Sequence, residues 1–425
     1  MTRPGDKNSV AASGPHGQVS PREEAGEAPT TGETSGQTEL GVAEPNANLS
    51  GGAAKQQARR NRRNMRRQQS AYGALDLGTN NCRLLVARPS RHGFYVIDAF
   101  SRIIRLGEGV SSSHRLSEEA MSRTMDALKI CAEKMRYRRV KRSRLIATQA
   151  CRAAENCEDF IARVYEEVGL ELEVVNNETE ARLAVSGCAS LIDRDCDWAL
   201  VFDIGGGSSE FIWLDLRGVE PDMRRAQPEL VDLQNCIAAW TSLSTGVVTL
   251  AEKHGGRDVS PALFEVMVED VMKNLAPFEA KHGLRDVFAG SKVHLMGTSG
   301  TVTTIAGIHL QLPVYDRRQV DGCWLQRNEI LNVLNTLIEM DYEGRVAQPC
   351  IGADRADLVL AGCAILEAVQ RMWPCDRLRV ADRGLREGIL ANLMAEDGFP
   401  QWRRPMREGG RRPPRRHRDR GARER

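Results

Sequence analysis

Long apolar runs are missing from this chain. None of its 425 residues lies in a stretch approaching the ~18 apolar residues that cross a bilayer, so no membrane contact through a span is expected. Met1-Thr2-Arg3-Pro4-Gly5-Asp6-Lys7 has no apolar core, which argues against a secretory leader. The eleven Cys form no C-x-x-C pair, and most sit in apolar runs such as Ala361-Gly362-Cys363-Ala364. They read as reduced, buried thiols of a cytoplasmic protein. The eight His are scattered, with no H-E-x-x-H and no paired Cys/His spacing, so a zinc site is not expected. A G-x-S-x-G nucleophile elbow is also missing. Aromatics make up only 5%, and the six Trp and nine Phe read as core, not as a base-stacking platform.

Charge is plentiful but segregated. The net charge is +2. Residues 1–54 carry −4, the run 55–68 carries +7 with no acid, and 401–425 carry +8, which leaves 69–400 at −9. Residues 1–54 are rich in Gly, Pro, Ser, Thr, Ala and Glu and have too little apolar surface to fold. The expectation is a disordered tail over 1–70, ending in a basic run, and a second disordered, Arg-rich tail over 401–425. Such tails can contact polyanions or RNA without sequence preference, or simply aid solubility.

Two glycine-rich turns dominate the body. One is Tyr72-Gly73-Ala74-Leu75-Asp76-Leu77-Gly78-Thr79-Asn80-Asn81, and the other is Ala199-Leu200-Val201-Phe202-Asp203-Ile204-Gly205-Gly206-Gly207-Ser208-Ser209-Glu210. Each is a short apolar run that ends in Asp and is followed by glycine and polar residues. That pattern predicts a buried strand, a tight turn and a returning strand. Successive backbone N–H groups in such a turn can surround phosphate oxygens, and the Asp can hold a hard divalent cation. Strands are predicted at 72–77, 83–88, 94–99, 144–148 and 171–176, with helices at 117–136, 157–168 and 178–190. The second half predicts a hairpin at 198–214, a helix at 260–280, a strand at 292–296, helices at 302–309, 327–339 and 355–372, a strand at 377–381 and a helix at 385–395. The repetition predicts a duplicated α/β fold with two domains, 71–197 and 198–400, and a ligand in the cleft between them.

With these segments in view, the body resembles the exopolyphosphatase / guanosine pentaphosphate phosphatase (Ppx/GppA) family of the actin-like, ribonuclease H-like superfamily. The resemblance spans about 72–392. Besides the two turns it rests on Ala147-Thr148-Gln149-Ala150-Cys151-Arg152, Glu178-Thr179-Glu180-Ala181-Arg182-Leu183, Ser244-Thr245-Gly246-Val247-Val248, Gly297-Thr298-Ser299-Gly300-Thr301, Arg355-Ala356-Asp357 and Gly384-Leu385-Arg386-Glu387-Gly388. Thr79 and Asn81 stand where the family usually has serines. The chain reaches its Arg-rich tail where larger members continue into a helical domain, so it resembles the short, two-domain form.

The resemblance implies Mg²⁺-dependent hydrolysis, with Mn²⁺ as an alternative ion, of terminal phosphoanhydride bonds in inorganic polyphosphate or guanosine pentaphosphate. It implies Glu180 as the catalytic base, although a Glu at that place can also serve the helix N-terminus. Asp203 and Glu210 match metal-holding positions, and Asp76 is their counterpart in the first turn; an Asp there can equally shape its own turn. Arg152 matches a phosphate-contacting arginine, or else pairs with nearby Glu155. Gly78, Thr79, Asn80, Gly205, Gly206, Gly207 and Ser208 are the expected phosphate cradle, with Arg83 ranked behind them. The resemblance also implies a homodimer. Two rival readings stay open: a phosphotransferase of the sugar- and acetate-kinase-like superfamily, and a non-enzymatic regulator that docks on polyanions.

Overall fold

The computed structural model describes residues 70–90, 93–193, 195–220 and 233–399. The acidic tail, the basic run 55–68 and the Arg-rich segment 401–425 lie outside the described residues.

Two mixed sheets carry the chain. In the first, β1 (Ala71–Leu77), β2 (Asn81–Ser90) and β3 (Gly93–Ile103) run antiparallel. Then β4 (Val140–Ala147) pairs in parallel with β1, and β5 (Glu173–Val174) with β4, giving the order β3-β2-β1-β4-β5. In the second, β6 (Trp198–Ile204), β7 (Ser209–Asp215) and β8 (Ile237–Leu243) run antiparallel. There β9 (Val293–Thr298) pairs in parallel with β6 and β11 (Arg377–Ala381) with β9, while β10 (Trp324–Gln326) closes the edge. Read from β8, the order repeats the first sheet with β10 added. This is the duplicated α/β arrangement that the paired turns predict.

One predicted strand is shorter than expected, and one strand was not foreseen. Strand 171–176 shrinks to two residues, because β4 meets it only at Ile146↔Glu173 and Ala147↔Val174. β8 was not foreseen: its apolar run Ile237-Ala238-Ala239-Trp240 is short and half of it is alanine, and only Ala239 and Leu243 in the strand are buried.

The central strands are buried on both faces, and their alternation sorts residues to opposite sides. On β1, Leu75 and Leu77 face Leu128 and Cys131 of helix Glu118–Tyr137. Tyr72 and Ala74 face Ile389, Leu390 and Met394 of helix Leu385–Glu396. On β6, Leu200 and Phe202 pack with Val268 and Val271 of helix Pro261–His282, whereas Ala199 and Val201 pack with Ala181, Val185 and Cys188 of helix Asn177–Cys188. Each fully buried aliphatic side chain contributes roughly 1.5–3 kcal/mol.

The helix assignment is therefore crossed. The last helix, at 385–396, lies in the chain beside the second sheet but covers the first. Helix Asn177–Cys188, which precedes the second sheet, packs against it. The two helices touch through backbone: a Cβ on Gly187 would overlap the Gly384 carbonyl, and one on Gly388 the Leu183 carbonyl. Further links join the segments around the cleft. Arg105 donates to both Asp357 carboxylate oxygens at 2.9 and 3.1 Å, and Glu252 accepts the Gly109 N–H at 2.8 Å.

Candidate active site

Both glycine turns open into one cleft. Asp76, Gly78, Thr79, Asn80, Glu180, Asp203, Gly205, Gly206, Gly207, Ser208 and Glu210 all line it. The turns are built alike. Gly78 N–H donates to the Asn81 carbonyl and Gly205 N–H to the Ser208 carbonyl, both at 2.9 Å, so these two amides close the turns. The turn carbonyls point away from the cleft and are taken up elsewhere. The Thr79 and Asn80 carbonyls accept from Gly107 (2.9 Å) and Ile104 (2.8 Å), and the Gly205 and Gly206 carbonyls from Val247 (3.0 Å) and Val248 (2.8 Å). The segment Ser244-Thr245-Gly246-Val247-Val248 thus acts as the strut of the second turn. Among the described residues no acceptor takes the N–H groups of Thr79, Asn80, Gly206, Gly207 or Ser208. The turns also press on each other: a Cβ on Gly207 would lie 2.7 Å from Thr79 Oγ1, so only glycine lets them approach this closely.

The hairpin register fixes the carboxylates. Asp203 pairs directly with Glu210 across β6 and β7, which puts both side chains on one face. Burial and the Glu210 and Asp76 charges push the Asp203 carboxyl up to about 7, against the opposing pull of Arg83 and the Ser299 hydroxyl. Its Oδ1 is buried with no hydrogen-bond partner. Glu210 Oε1 accepts from Ser208 Oγ at 2.7 Å and Ser242 Oγ at 3.0 Å. Burial raises Glu210, and these hydroxyls oppose the rise. The Ser208 hydroxyl is therefore committed to Glu210.

Glu180 projects from the first turn of helix Asn177–Cys188. The Asn176 side chain caps that helix by accepting from Thr179 N–H at 2.8 Å, and Glu178 pairs with Arg182, so Glu180 is left for the cleft. Arg152 Nη1 donates to Glu180 Oε2 at 2.8 Å and to the Val175 carbonyl at 2.8 Å. Arg152 Nε and Nη2 donate to Gln149 Oε1 at 3.2 and 3.0 Å. Arg152 thus stands behind Glu180 with its guanidinium engaged, and Glu155 reaches Arg115 instead. Burial and the Glu210 charge hold the Glu180 carboxyl well above the ordinary range, with Arg152 opposing.

Two arginines complete the wall. Arg83 pairs with Asp76 across β1 and β2, and Arg386 enters from the start of helix Leu385–Glu396. Burial raises the Asp76 carboxyl, and these arginines oppose the rise. Arg386 received no role from sequence reasoning. A signal was available, since a cation in a helix's first turn opposes the macrodipole and is costly without a purpose. Ser299, at φ 79° just before helix Gly300–His309, lines the same cleft.

The donor set fits a hard cation only in part. Among the described residues no group of three or more His, Cys, Asp and Glu is arranged to hold a metal by itself. Two adjacent carboxylates, one with an unpartnered buried oxygen, suit Mg²⁺, which keeps water and substrate oxygens in its shell. No helix among the described residues is long and apolar enough to cross a membrane.

Comparison with known proteins gives the family. The sequence profile of the Ppx/GppA phosphatase family matches residues 85–397. Exopolyphosphatase 2 of Mycobacterium tuberculosis is 28% identical over 333 residues, covering 75% of this chain and 97% of that protein. A bifunctional 3-dehydroquinate synthase/phosphatase of Fusobacterium nucleatum is 28% identical over 327 residues; the match covers 75% of this chain but only 46% of that longer protein. The crystal structure of an Aquifex aeolicus Ppx/GppA family member superposes with a TM-score of 0.62 at 27% identity, covering 78% of this chain and 99% of that one. An exopolyphosphatase structure from Cytophaga hutchinsonii, at 23% identity and a TM-score of 0.67, covering 78% of this chain and 99% of its own, shares the fold. The chain belongs to the Ppx/GppA phosphatase family.

Proposed function

We propose that this protein hydrolyses terminal phosphoanhydride bonds, with inorganic polyphosphate as substrate and Mg²⁺ as cofactor. The carrying observation is the convergence of Glu180, the Asp203–Glu210 pair and two amide-lined turns on one cleft. In this reading the free N–H groups of Thr79, Asn80, Gly206, Gly207 and Ser208 hold the nonbridging oxygens of the terminal phosphoryl group. Asp203 and Glu210 would hold the Mg²⁺, which supplies charge neutralisation on the phosphoryl oxygens when bound. Glu180, with its carboxyl raised by burial and oriented by Arg152, accepts a proton from the attacking water. The water oxygen forms the new P–O bond, the bridging P–O bond breaks, and the shortened chain leaves with the bridging oxygen.

A second substrate reading, guanosine pentaphosphate, is favoured by a side pocket. It opens off the cleft past Asn80, Arg83 and Ser299 and is lined by Ile204, Val247, Ile351, Leu358 and Val359. A linear polyphosphate has no apolar part to fill it, whereas a nucleoside does.

The test is phosphate release from long-chain polyphosphate and from guanosine pentaphosphate, with and without Mg²⁺, for wild type and Glu180→Gln. Metal-dependent release that falls about 10²–10⁴-fold in the variant is expected. Release that requires an added acceptor would favour a phosphotransferase. Binding without turnover in wild type would favour the regulator.

A further inference from the structure

The cleft contains more arginine than its hydrogen bonds consume. Arg152 is taken by Glu180, Val175 and Gln149. Arg383 is taken by Asp321 and Ser190, and Arg317 by Glu387 and the Asp382 carbonyl. Arg386 lines the same cleft, is half-buried, and its guanidinium makes no hydrogen bond among the described residues. Its charged neighbours are Glu387 and Asp76, which attract it, and Arg83 and Arg317, which repel it. Glu387 is already spent, on Arg317 at 2.7 Å and on the Gly384 N–H at 3.0 Å. Asp76 and Asp382 share this corner with Arg83 and Arg386, and neither guanidinium makes a hydrogen bond among the described residues. The donors of Arg386 are therefore open to the cleft.

We propose that Arg386 is a substrate-binding residue, whose guanidinium receives nonbridging oxygens of the substrate's phosphate chain at the corner formed with Asp76 and Arg83. The inference rests on the phosphoanhydride reading of the cleft and deepens it. Arginine suits the task because its planar fork offers paired donors to a phosphate and stays charged when half-buried. Its placement suits the task as well. The backbone contacts of Gly384 and Gly388 with helix Asn177–Cys188 fix the helix start that bears Arg386 against the helix that bears Glu180. A phosphate held by Arg386 is thereby indexed to Glu180.

The experiment compares wild type, Arg386→Gln and Arg386→Lys. Phosphate release from polyphosphate gives kcat and KM, and calorimetry gives tripolyphosphate affinity in a Glu180→Gln background. Melting temperatures identify any variant that is not folded. Arg386→Gln should lose at least about 10²-fold in kcat/KM and about tenfold or more in tripolyphosphate affinity. Arg386→Lys should recover part of the affinity, and added guanidinium ion should restore part of the activity of Arg386→Gln. A folded Arg386→Gln that stays within threefold of wild type in both readouts overturns the inference. So does equal loss in Arg386→Lys without guanidinium rescue, which would mark a packing role. If wild type releases no phosphate, the hydrolase reading fails, and tripolyphosphate affinity still decides whether Arg386 receives phosphate.

Discussion

The two hairpins at the heart of the molecule share strand order, turn closure and buried aspartate, and they differ at the residue opposite that aspartate. In the first, Asp76 faces Arg83; in the second, Asp203 faces Glu210. The first hairpin therefore pairs an acid with a base and gains a second base when Arg386 joins it, while the second sets two acids side by side. Duplication produced a symmetric frame, and one cross-strand exchange gave the cleft two poles. In the proposed reading the phosphate chain takes the positive pole and the cation the negative one, with Glu180 beside the latter.

Giving the second hairpin the charge of the first should do the most damage. Glu210→Arg should abolish phosphate release, by about 10³-fold or more, with no recovery at high Mg²⁺, because it replaces an acid of the cation site with a cation. Saturation with Mg²⁺ that restores the variant would show that the hairpin charge does not matter.

The turn glycines separate the hairpins further. A Cβ on Gly205 would sit 2.7 Å from the Ser208 carbonyl, but one on Gly78 would sit 3.5 Å from the Asn81 carbonyl. Gly205→Ala should lower kcat/KM about 10–10²-fold by shifting the amides, whereas Gly78→Ala should stay within about threefold. Equal losses in steady-state assays would remove the asymmetry.

Stability should also follow the negative pole. Asp203 binds its proton up to about pH 7 when folded, against 3.8 ordinarily, so between those values the folded state holds more protons than the unfolded one. The metal-free protein should lose stability as pH rises from about 4 to 7. Mg²⁺ should then raise the melting temperature by several degrees at pH 8 and by less at pH 5, as scanning calorimetry can check. Arg105→Ala, which breaks a half-exposed ion pair with Asp357, should cost about 0–1 kcal/mol and shift KM by only a few-fold.

Much of this was legible in the sequence. The repeated strand–Asp–Gly pattern is local, and both hairpins formed where the apolar runs placed them. The carboxylates followed from the same pattern, because hairpin register puts Asp203 beside Glu210. What escaped depended on distant partners. β8 is an edge strand specified by β7, not by its own composition. Arg152 looked free for phosphate because nothing nearby in sequence announces that Val175 and Glu180, 23 and 28 residues away, use its donors. Arg386 gains its meaning only when helix Leu385–Glu396 crosses to the first sheet.

That crossing also constrains how the protein is made. While a ribosome is still adding residues before 385, one face of the first sheet, with Tyr72, Ala74, Leu85 and Ile146, has only Val175 and Leu183 from the earlier half of the chain to pack on it. The earlier half of the chain thus keeps an open apolar surface within reach of chaperones until helix Leu385–Glu396 emerges to close it.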